Sequence, residues 1–365
     1  MGAHDEASQR VLEAPSLADL VVADHVWDVY AVLAVREEGT TSQKAPFLTL
    51  TLDDQSGSIK AKVWSDPKEA FEKAKAIPLH KHVKVRGRMK TWKDETQLVV
   101  ERIREVDPET DKTFDPAKLI DPALAHVEDL VCKTLVVDIE TVPAQDFDSL
   151  PDSVADALEQ FAQRKEPGAG PDVLNARIGM AMGLSPLFGK VVSIALGDGD
   201  AIDGDVHVLA VPPPGFVAKD TPPWLRFLDE PELLRAFWAL AAKAEVVVTF
   251  NGRSFDVPFL VGRSIVHGVP VRSAIATQRF GAKPHLDLFE FLSQRDKAPS
   301  KLDVICWAFG IESPKGDMDG SKVAPAYARG EIVKIAEYNR HDVRATAAVY
   351  RKLRDTVLRY SSEKK

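Results

Sequence analysis

The sequence has little cysteine and no long apolar run, and these absences argue against several classes of protein. Its two cysteines, Cys132 and Cys306, belong to no CxxC pair and no cysteine–histidine cluster. We therefore expect buried thiols in a reducing cytoplasm rather than a disulfide or a zinc site. No segment approaches the roughly 18 apolar residues of a membrane helix, and the first residues lack the basic-then-apolar order of a signal peptide. A cytoplasmic protein without membrane contact is expected.

Charge is unevenly distributed along the chain. The net charge is −8, which by itself disfavours binding to nucleic acid. Between Lys60 and Lys93, however, eleven Lys and Arg residues stand against only three acidic residues. Such a local basic surface is what contact with a phosphate backbone requires. A solvated lysine-rich surface is the alternative, and composition alone does not separate the two.

Residues 16–106, which follow a flexible tail at 1–15, are predicted to form a β-barrel. Apolar and polar residues alternate there with the period of two that is typical of strands. The predicted strands are Val26–Leu33, Phe47–Leu52, Ile59–Trp64, His82–Met89 and Thr96–Ile103. A short helix is predicted at Pro67–Ile77, between the third strand and the fourth. Three strands, a helix and two strands is the order of an OB fold.

Two segments of this domain, "LTLTLDDQSGSIKAKVWSD" and "VKVRGRMKTWKDETQLVV", resemble the anticodon-binding type of OB fold. That type also precedes some bacterial 3′–5′ exoribonucleases. OB folds commonly bind single strands on their second and third strands and on two loops, which here are residues 36–46 and 89–97. Trp64 and Trp92 are the candidates for stacking on bases, although alternation also allows Trp64 and Phe47 to lie in the barrel core. The candidates for phosphate contact are Lys60, Lys62, Arg88, Lys90 and Lys93.

A linker at 107–130 is expected to lead into an α/β domain at 131–358 with a mixed central sheet. The predicted strands are Lys133–Asp138, Val191–Leu196, Val206–Val211 and Val246–Phe250. The predicted helices are Glu230–Ala244, Asp256–His267, Lys301–Phe309 and Glu331–Arg354. Residues 144–185, with one helix near 152–164 and a Gly/Pro-rich stretch, fit this pattern poorly. We interpret them as an insertion near the first strand, of the kind that forms a lid.

Acidic residues end the first of these strands. Asp138 and Glu140 are two apart, so alternation places both on one side of the strand. Neighbouring carboxylates repel each other unless a cation joins them, and Mg²⁺ and Mn²⁺ prefer oxygen ligands. An isolated Asp-x-Glu is nevertheless more often an ordinary surface pair than a metal site.

Two further motifs combine acidic and aromatic residues. Asn251, Phe255 and Asp256 follow an all-apolar strand where a helix is predicted to begin, and Asp256 alone could be only a helix cap. Tyr338 and Asp342 are four apart on a late amphipathic helix and therefore share one face of it. Alone, this last pair is better explained by a core tyrosine below a surface aspartate.

In this order the three motifs resemble the DEDD exonuclease superfamily, which has an RNase H-like fold. The segments "SPLFGKVVSIALG", "HLDLFEFL", "KLDVICWAFGI" and "YNRHDV" strengthen the likeness, in particular to the exonuclease domain of family B DNA polymerases, over about 130–355. The tyrosine marks the DEDDy branch. The histidine branch would place His five residues before Asp342, where this chain has Glu337.

The resemblance implies a 3′–5′ exonuclease that uses two Mg²⁺ or Mn²⁺ ions and releases 5′-mononucleotides. Asp138 would bridge the ions, Glu140 and Asp342 would hold the ion that activates water, and Asp256 would support the other. Tyr338 would orient the attacking water. Asn251 and Phe255 match the family positions that contact the terminal nucleotide.

Of the three remaining candidates, two have two interpretations each. Asp287 is either an outer carboxylate of the site or a structural partner, and Lys315 either contacts phosphate or is simply solvated. His341 is adjacent to Asp342 and should point away from the metals, in a supporting role.

The expected substrate is single-stranded DNA or RNA with a free 3′ end, with DNA slightly favoured. An exoribonuclease and a non-catalytic OB protein with a degenerate nuclease domain are the alternatives. A complete set of acids argues against the degenerate form, and protein partners are left open.

Overall fold

The computed structural model describes residues 10–92, 95–202, 204–271, 273, 275, 283–293, 301–313 and 318–361. The chain divides into two compact units, Met1–Pro122 and Ala123–Lys365. The division falls within the segment predicted as a linker, which holds short 3₁₀ turns at Pro116–Leu119, Pro122–His126 and Glu128–Leu130. Within the described ranges, no helix has the length and apolar character needed to cross a membrane.

The first unit is a closed β-barrel with one helix. Its elements are β1 (Val11–Glu13), β2 (Val26–Thr40), β3 (Pro46–Asp54), β4 (Gly57–Trp64), α1 (Lys68–Ala76), β5 (His82–Trp92) and β6 (Glu95–Glu105). The strand order is β1-β2-β3-β4-β6-β5, and an additional pairing of β2 with β5 closes the barrel. This arrangement confirms the predicted OB fold.

Strict alternation along the strands forms the barrel core. On β3, Leu48, Leu50 and Leu52 are fully buried, as are Ala61 and Val63 on β4. The residues between them point outward, because successive side chains of a strand lie on opposite faces of the sheet. The sequence pattern therefore fixes which residues of β3 and β4 reach the surface.

The strands extend farther than alternation alone predicted. β2 continues to Thr40 and β5 to Trp92, so much of the loops expected at 36–46 and 89–97 is strand. For β2, the Arg36 guanidinium donates hydrogen bonds of 3.1 and 2.6 Å to two carbonyl oxygens at the end of α1. Those oxygens have no partner within the helix, so the contact holds the strand against it. A contact between such distant residues leaves no periodic signal in the sequence.

The second unit is an α/β domain built on a six-stranded mixed sheet, as predicted. Its strands are β7 (Thr134–Pro143), β8 (Gly189–Asp198), β9 (His207–Ala210), β10 (Leu225–Phe227), β11 (Val246–Thr249) and β12 (His285–Asp287). The order is β10-β9-β8-β7-β11-β12. β7 lies at the centre, antiparallel to β8 and parallel to β11.

The helices described for this unit include a pair before β8 and a long helix, α9, near the C-terminal end. They are α2 (Asp152–Lys165), α3 (Pro171–Leu184), α4 (Glu230–Ala241), α5 (Asp256–His267), α6 (Leu288–Leu292), α7 (Leu302–Phe309), α8 (Gly320–Ala328), α9 (Ile332–Leu353) and α10 (Arg359–Ser361). One apolar core joins the sheet to α7, α8 and α9, and a second joins its other face to α4 and α5. The sheet is thus covered on both sides.

Residues 144–185 contain two helices where the sequence predicted one. α2 and α3 pack together around Leu158, Ala162, Ile178 and Met182. The second helix begins at the Gly170–Pro171 pair, which the sequence analysis interpreted as irregular. Proline is favourable in the first turn of a helix because its missing N–H would have no partner there. The Gly/Pro-rich stretch is therefore the boundary between two helices.

Candidate active site

Asp138 and Glu140 leave the central strand β7 on one face of the sheet. Val137, which precedes Asp138, and Ile139, which lies between the two acids, belong to the core shared with α4 and α5. Val136 belongs to the core on the α9 side, and alternation carries Asp138 and Glu140 to that same side. The pairing with β8 is irregular directly after Glu140. Such bulges redirect a strand and are frequent beside active sites.

Tyr338 and Asp342 approach the same place from helix α9. The helix buries Ile335, Asn339 and Val343 completely against the sheet. Tyr338 and Asp342 lie at the partly accessible edge of this buried face. The Tyr338 hydroxyl lies close enough to the Asp342 carboxylate for each group to shift the pKa of the other.

Three carboxylates converge at this point. One oxygen each from Asp138, Glu140 and Asp342 lies within 4.8 Å of the others, and all three side chains remain partly accessible to solvent. Mg²⁺ binds oxygen ligands at about 2.0–2.1 Å, so the ligands of a single ion lie up to about 4 Å apart. Small side-chain rotations are enough to bring the three oxygens onto a common ion. Their arrangement therefore fits a hard divalent cation.

Burial raises the pKa of every acid in the cluster, and neighbouring carboxylates add to the effect. Burial, and then the neighbouring carboxylates, raise the pKa of Asp138 and Glu140 well above the ordinary values. Burial raises the pKa of Asp342 to about 6 and that of Asp256 to about 7. The charges acting on Asp138 and Glu140 all come from other acids. A bound cation would relieve this repulsion.

Asp256 lies beside the three converging acids and is not part of their group. It is the first residue of α5, and the helix cap is Phe255. Asp256 is 4% exposed, and its Oδ1 accepts a 3.1 Å hydrogen bond from the backbone N–H of Ile139 on β7. Its charge is the strongest of those that raise the pKa of Asp138. Asp256 is thus tied to the strand that carries the first two acids.

Asp287 organises the turn that precedes α5. Its carboxylate accepts backbone hydrogen bonds from Asn251 (3.0 Å), Arg253 (2.8 Å), Phe289 (2.9 Å) and Glu290 (3.3 Å). It therefore caps α6 and joins that helix to the 251–253 turn. Of the two interpretations given to Asp287, this geometry favours the structural one.

Replacing Asp287 with Ala is expected to destabilise the protein by about 2–4 kcal/mol, because backbone N–H groups lose a buried acceptor. Denaturant unfolding would measure this cost. Glu290→Ala, which removes an exposed partner of Arg253, is the control and should cost less than about 1 kcal/mol. Equal costs for the two variants would show that Asp287 does not organise the turn.

Asn251 occupies a sharp turn between β11 and α5. Its backbone has φ +65°, a left-handed conformation that asparagine tolerates better than most residues. The adjacent Gly252 leaves no room for a side chain, since a Cβ there would lie 2.5 Å from Cβ of Thr249. The Asn251 side chain is exposed and accepts a 2.6 Å hydrogen bond from Ser254. Phe255 is half-buried against Phe259.

Asn339 is a positioning residue that the sequence analysis did not identify. It is completely buried, and its Nδ2 donates a 3.0 Å hydrogen bond to Oγ of Ser193 on β8. Ser193 is the register partner of Glu140, so the bond fixes α9 beside the acidic strand. The available signal was a polar residue four positions from both Ile335 and Val343, on an otherwise apolar helix face.

Two other candidates remain. His341 is exposed on α9, which agrees with the expectation that it points away from the metals. Lys315 lies outside the described residues.

The barrel carries aromatic and basic side chains on the outward face of β3 and β4, called here the β3–β4 face. Three cross-strand pairs form it: Phe47 with Trp64, Thr49 with Lys62, and Thr51 with Lys60. The Phe47 and Trp64 rings are 5.5 Å apart, and Lys62 Nζ lies 4.0 Å from the centre of the Phe47 ring. Neither ring is in the barrel core, where alternation had allowed them.

The other barrel candidates surround this face. Trp92 is 69% exposed at the end of β5, and Lys90 is also exposed. Arg88 is engaged with Glu101 and with the backbone oxygen of Asp24, both at 3.1 Å. Lys93 lies outside the described residues.

Two family models match the chain. Residues 190–364 match a family described as a predicted 3′–5′ exonuclease related to the exonuclease domain of PolB. Residues 31–106 match the tRNA anti-codon family, described as an OB-fold nucleic acid binding domain. The first match begins after β7 and so contains Asp256, Tyr338 and Asp342. Asp138 and Glu140 precede it and join the site through the geometry described above.

Solved structures with similar regions include a DNA polymerase, a chain of a two-protein complex and a domain of replication protein A. A family B DNA polymerase from Pyrobaculum calidifontis is 16% identical over 89% of this chain and 46% of its own, with a TM-score of 0.37. A chain of the S. pombe Stn1–Ten1 complex is 19% identical over 24% of this chain and 63% of its own, with a TM-score of 0.22. A replication protein A domain from Methanococcus maripaludis is 18% identical over 26% of this chain and 97% of its own, with a TM-score of 0.22.

The chain thus spans less than half of that polymerase and less than two thirds of the Stn1–Ten1 chain. The family matches confirm both resemblances seen in the sequence. The chain thus carries a region similar to a predicted 3′–5′ exonuclease domain related to that of PolB, preceded by a region similar to an OB-fold nucleic acid binding domain.

Proposed function

We propose that this chain is a metal-dependent 3′–5′ exonuclease that removes nucleotides one at a time from the 3′ end of single-stranded nucleic acid and releases 5′-mononucleotides. The convergence of Asp138, Glu140 and Asp342, with one oxygen of each within 4.8 Å of the others, carries the proposal. Acids placed so close together, with raised pKa values, are the arrangement that a hard cation stabilises.

The residues that would hold the ions are the four acids. Glu140 and Asp342 would bind one Mg²⁺ or Mn²⁺, Asp138 would bridge it to a second, and Asp256 would support the second directly or through water. When bound, such a pair of ions supplies the positive charge that stabilises the attacking and leaving oxygens of the phosphodiester. Asp256 already uses one oxygen on the backbone of Ile139, which leaves the other for this role.

Tyr338 would orient the attacking water without accepting its proton. Burial and the charges of Glu140 and Asp342 raise the pKa of Tyr338 far above the ordinary value of a phenol. The hydroxyl is therefore protonated at neutral pH. Glu140, Asp342 and Asp138 all raise its pKa, which is consistent with a hydroxyl that lies beside the acids.

Replacing Tyr338 with Phe is expected to lower kcat by about 10- to 100-fold, because water loses an orienting partner while the carboxylates stay in place. The pH dependence of kcat between 6 and 9 should keep its shape, since a neutral phenol does not titrate there. Steady-state rates across this range would measure both effects. If the wild-type kcat rises with pH near neutrality and the Tyr338→Phe variant loses this rise, Tyr338 acts as a base. That result would contradict the proposed role.

The terminal nucleotide would be held by the turn at 251–255. Asn251 presents an exposed amide at the end of β11, and Phe255 presents a half-buried ring next to it. Amides form hydrogen bonds with sugars and bases, and aromatic rings pack on bases. Lys315 remains a candidate for phosphate contact from the sequence alone.

The β3–β4 face would bind the single strand. Phe47 and Trp64 offer rings for stacking, and Lys60 and Lys62 offer charges for phosphates. Trp92, with 69% of its surface exposed, is a further stacking residue. This combination of aromatic and basic residues suits single strands without demanding a sequence. Lys90, Arg88 and Lys93 would extend the phosphate contacts.

DNA is the favoured substrate, because the catalytic family is described by its relation to a DNA polymerase domain. RNA is the second candidate, because the barrel matches the anticodon family. The two free thiols, Cys132 and Cys306, suit the reducing cytoplasm that we propose as its location.

Incubation with labelled single-stranded DNA and RNA, in Mg²⁺, Mn²⁺ or EDTA, tests the proposal and decides the sugar preference. Asp138→Ala is the inactive control. We expect mononucleotide release that requires the metal and Asp138. Activity that survives both EDTA and the substitution would exclude the metal mechanism. A folded wild-type protein that binds single strands without degrading them would favour a non-catalytic role.

A further inference from the structure

Strands β5 and β6 carry an array of cations on the outside of the barrel. Lys84 is the register partner of Arg104, and Arg86 is the register partner of Arg102. Like charges directly opposite each other on neighbouring strands destabilise a sheet. Four cations in two facing pairs therefore require compensation by acids or by a ligand.

Acids of the chain compensate the array only in part. Asp28 serves two of the cations, with Oδ2 at 2.9 Å from Arg86 and 3.8 Å from Lys84. Asp111 pairs with Arg104 at 2.6 Å, and Glu13 pairs with Lys84 at 3.8 Å. Arg102 is exposed, and the structure gives its side chain no ion pair or hydrogen bond within the described ranges.

The array lines a cleft of about 610 Å³ between α1 and the two strands, called here the β5–β6 cleft. Its five cations are Lys73, Lys84, Arg86, Arg102 and Arg104. Its three carboxylates are Asp28, Glu69 and Glu101. The lining holds two more cations than carboxylates, while Arg104 and Lys84 also pair with Asp111 and Glu13 beside it. Among the described residues Arg102 has no ion pair, so it is the cation best placed to attract an anionic ligand.

The cleft is continuous with the β3–β4 face. The outward residues of β5 are Lys84, Arg86, Arg88 and Lys90, which alternate with buried residues of the barrel core. Arg88 and Lys90 are paired with Val99 and Gln97 of β6, and Val99 is also the register partner of Lys62 on β4. Six residues of strand between Lys84 and Lys90 span about 20 Å. A basic stripe of that length runs along β5, passes the row that contains Lys62 and Val99, and ends in the cleft.

We propose that the β5–β6 cleft is a second phosphate-binding surface, and that a single strand bound on the β3–β4 face continues along β5 into it. The ligand would be the phosphodiester backbone of nucleic acid, bound through its negative charge and without contacts to the bases. This inference rests on the proposed single-strand binding by the β3–β4 face. It adds the prediction that the barrel binds long strands more tightly than short ones through residues that are not part of the β3–β4 face.

Fluorescence anisotropy of the full chain in EDTA, with oligothymidylates of about 6 and about 20 nucleotides, separates the two surfaces. The test variant is Arg102→Gln/Arg104→Gln. The matched control, Lys75→Gln/Lys81→Gln, removes two exposed barrel charges that do not line the cleft. Thermal unfolding of both variants checks that the barrel is intact.

The test variant should bind the long strand about tenfold more weakly at low salt, with a salt slope shallower by about 1.4 for two lost phosphate contacts. Its affinity for the short strand should match wild type, and the control should match wild type on both lengths.

Unchanged binding of the long strand by the test variant would overturn the inference while leaving the β3–β4 face intact. A wild-type chain that binds neither length would overturn both the inference and the proposed role of that face. Loss of binding to a polyglutamate peptide, with nucleic-acid affinity unchanged, would assign the cleft to an acidic protein and also overturn the inference.

Discussion

Replacing Asp138 with Asn is expected to lower the rate of hydrolysis by about 10³-fold or more. The proposed bridging ligand contributes to both ions, and loss of metal-centred charge stabilisation costs several kcal/mol in the transition state. Single-turnover rates on a labelled single strand at saturating Mn²⁺ would measure the loss. The control is Glu245→Gln, which removes an exposed acid that does not belong to the acidic cluster and should leave the rate unchanged.

The Asp138→Asn substitution should also stabilise the metal-free protein. Asp138 is charged only at the cost of burial and of repulsion by Asp256, Glu140 and Asp342. An amide of the same shape removes this cost, so the variant should gain about 1–3 kcal/mol in EDTA near pH 8. Denaturant unfolding would measure the gain. An inactive variant that is also less stable than wild type in EDTA would show that Asp138 supports the fold instead of the metal site.

Metal-free stability is expected to fall as pH rises from about 4 to about 7. The folded-state pKa values of Asp342 and Asp256 are raised to about 6 and about 7, above the ordinary value near 3.9 for an unfolded aspartate. The folded form therefore binds protons more tightly than the unfolded form. Its contribution to stability is complete below pH 4 and is lost as pH rises through the folded values.

Mn²⁺ should reverse this loss, because it binds the deprotonated acids of the folded state only. Melting temperatures with and without the ion should differ by several degrees at pH 8 and by little at pH 5. In Asp138→Asn the shift at pH 8 should be much smaller. A shift of equal size at both pH values, or one retained in the variant, would place the ion somewhere other than the acidic cluster.

The catalytic elements were predictable because they depend on local pattern. Alternation on β7 placed Asp138 and Glu140 together, and helical spacing placed Tyr338 and Asp342 together. The motif order then indicated the family that the matches confirmed. Backbone geometry determines which residues of one strand or one helix share a face. The spacing of residues in the sequence therefore predicts which of these side chains lie together.

The contacts that align those elements were not predictable. The bond from Ile139 to Asp256 joins residues 117 apart, and the bond from Asn339 to Ser193 joins residues 146 apart. Asp287 left two interpretations open until its four backbone donors were located. Each of these hydrogen bonds depends on how separate elements pack. A polar residue in an apolar pattern indicates only that it has some partner, and not which residue that partner is.

Hydrolysis of a single strand labelled at its 5′ end is the most direct test of the central claim. With Mn²⁺ present, the account predicts a ladder that shortens from the 3′ end by single nucleotides, with 5′-mononucleotides as the released product. A nuclease-resistant phosphorothioate at the last linkage should delay the whole ladder, and EDTA should abolish it. Release of the 5′ label as the first product, or internal cuts on a strand with its 3′ end blocked, would contradict the account.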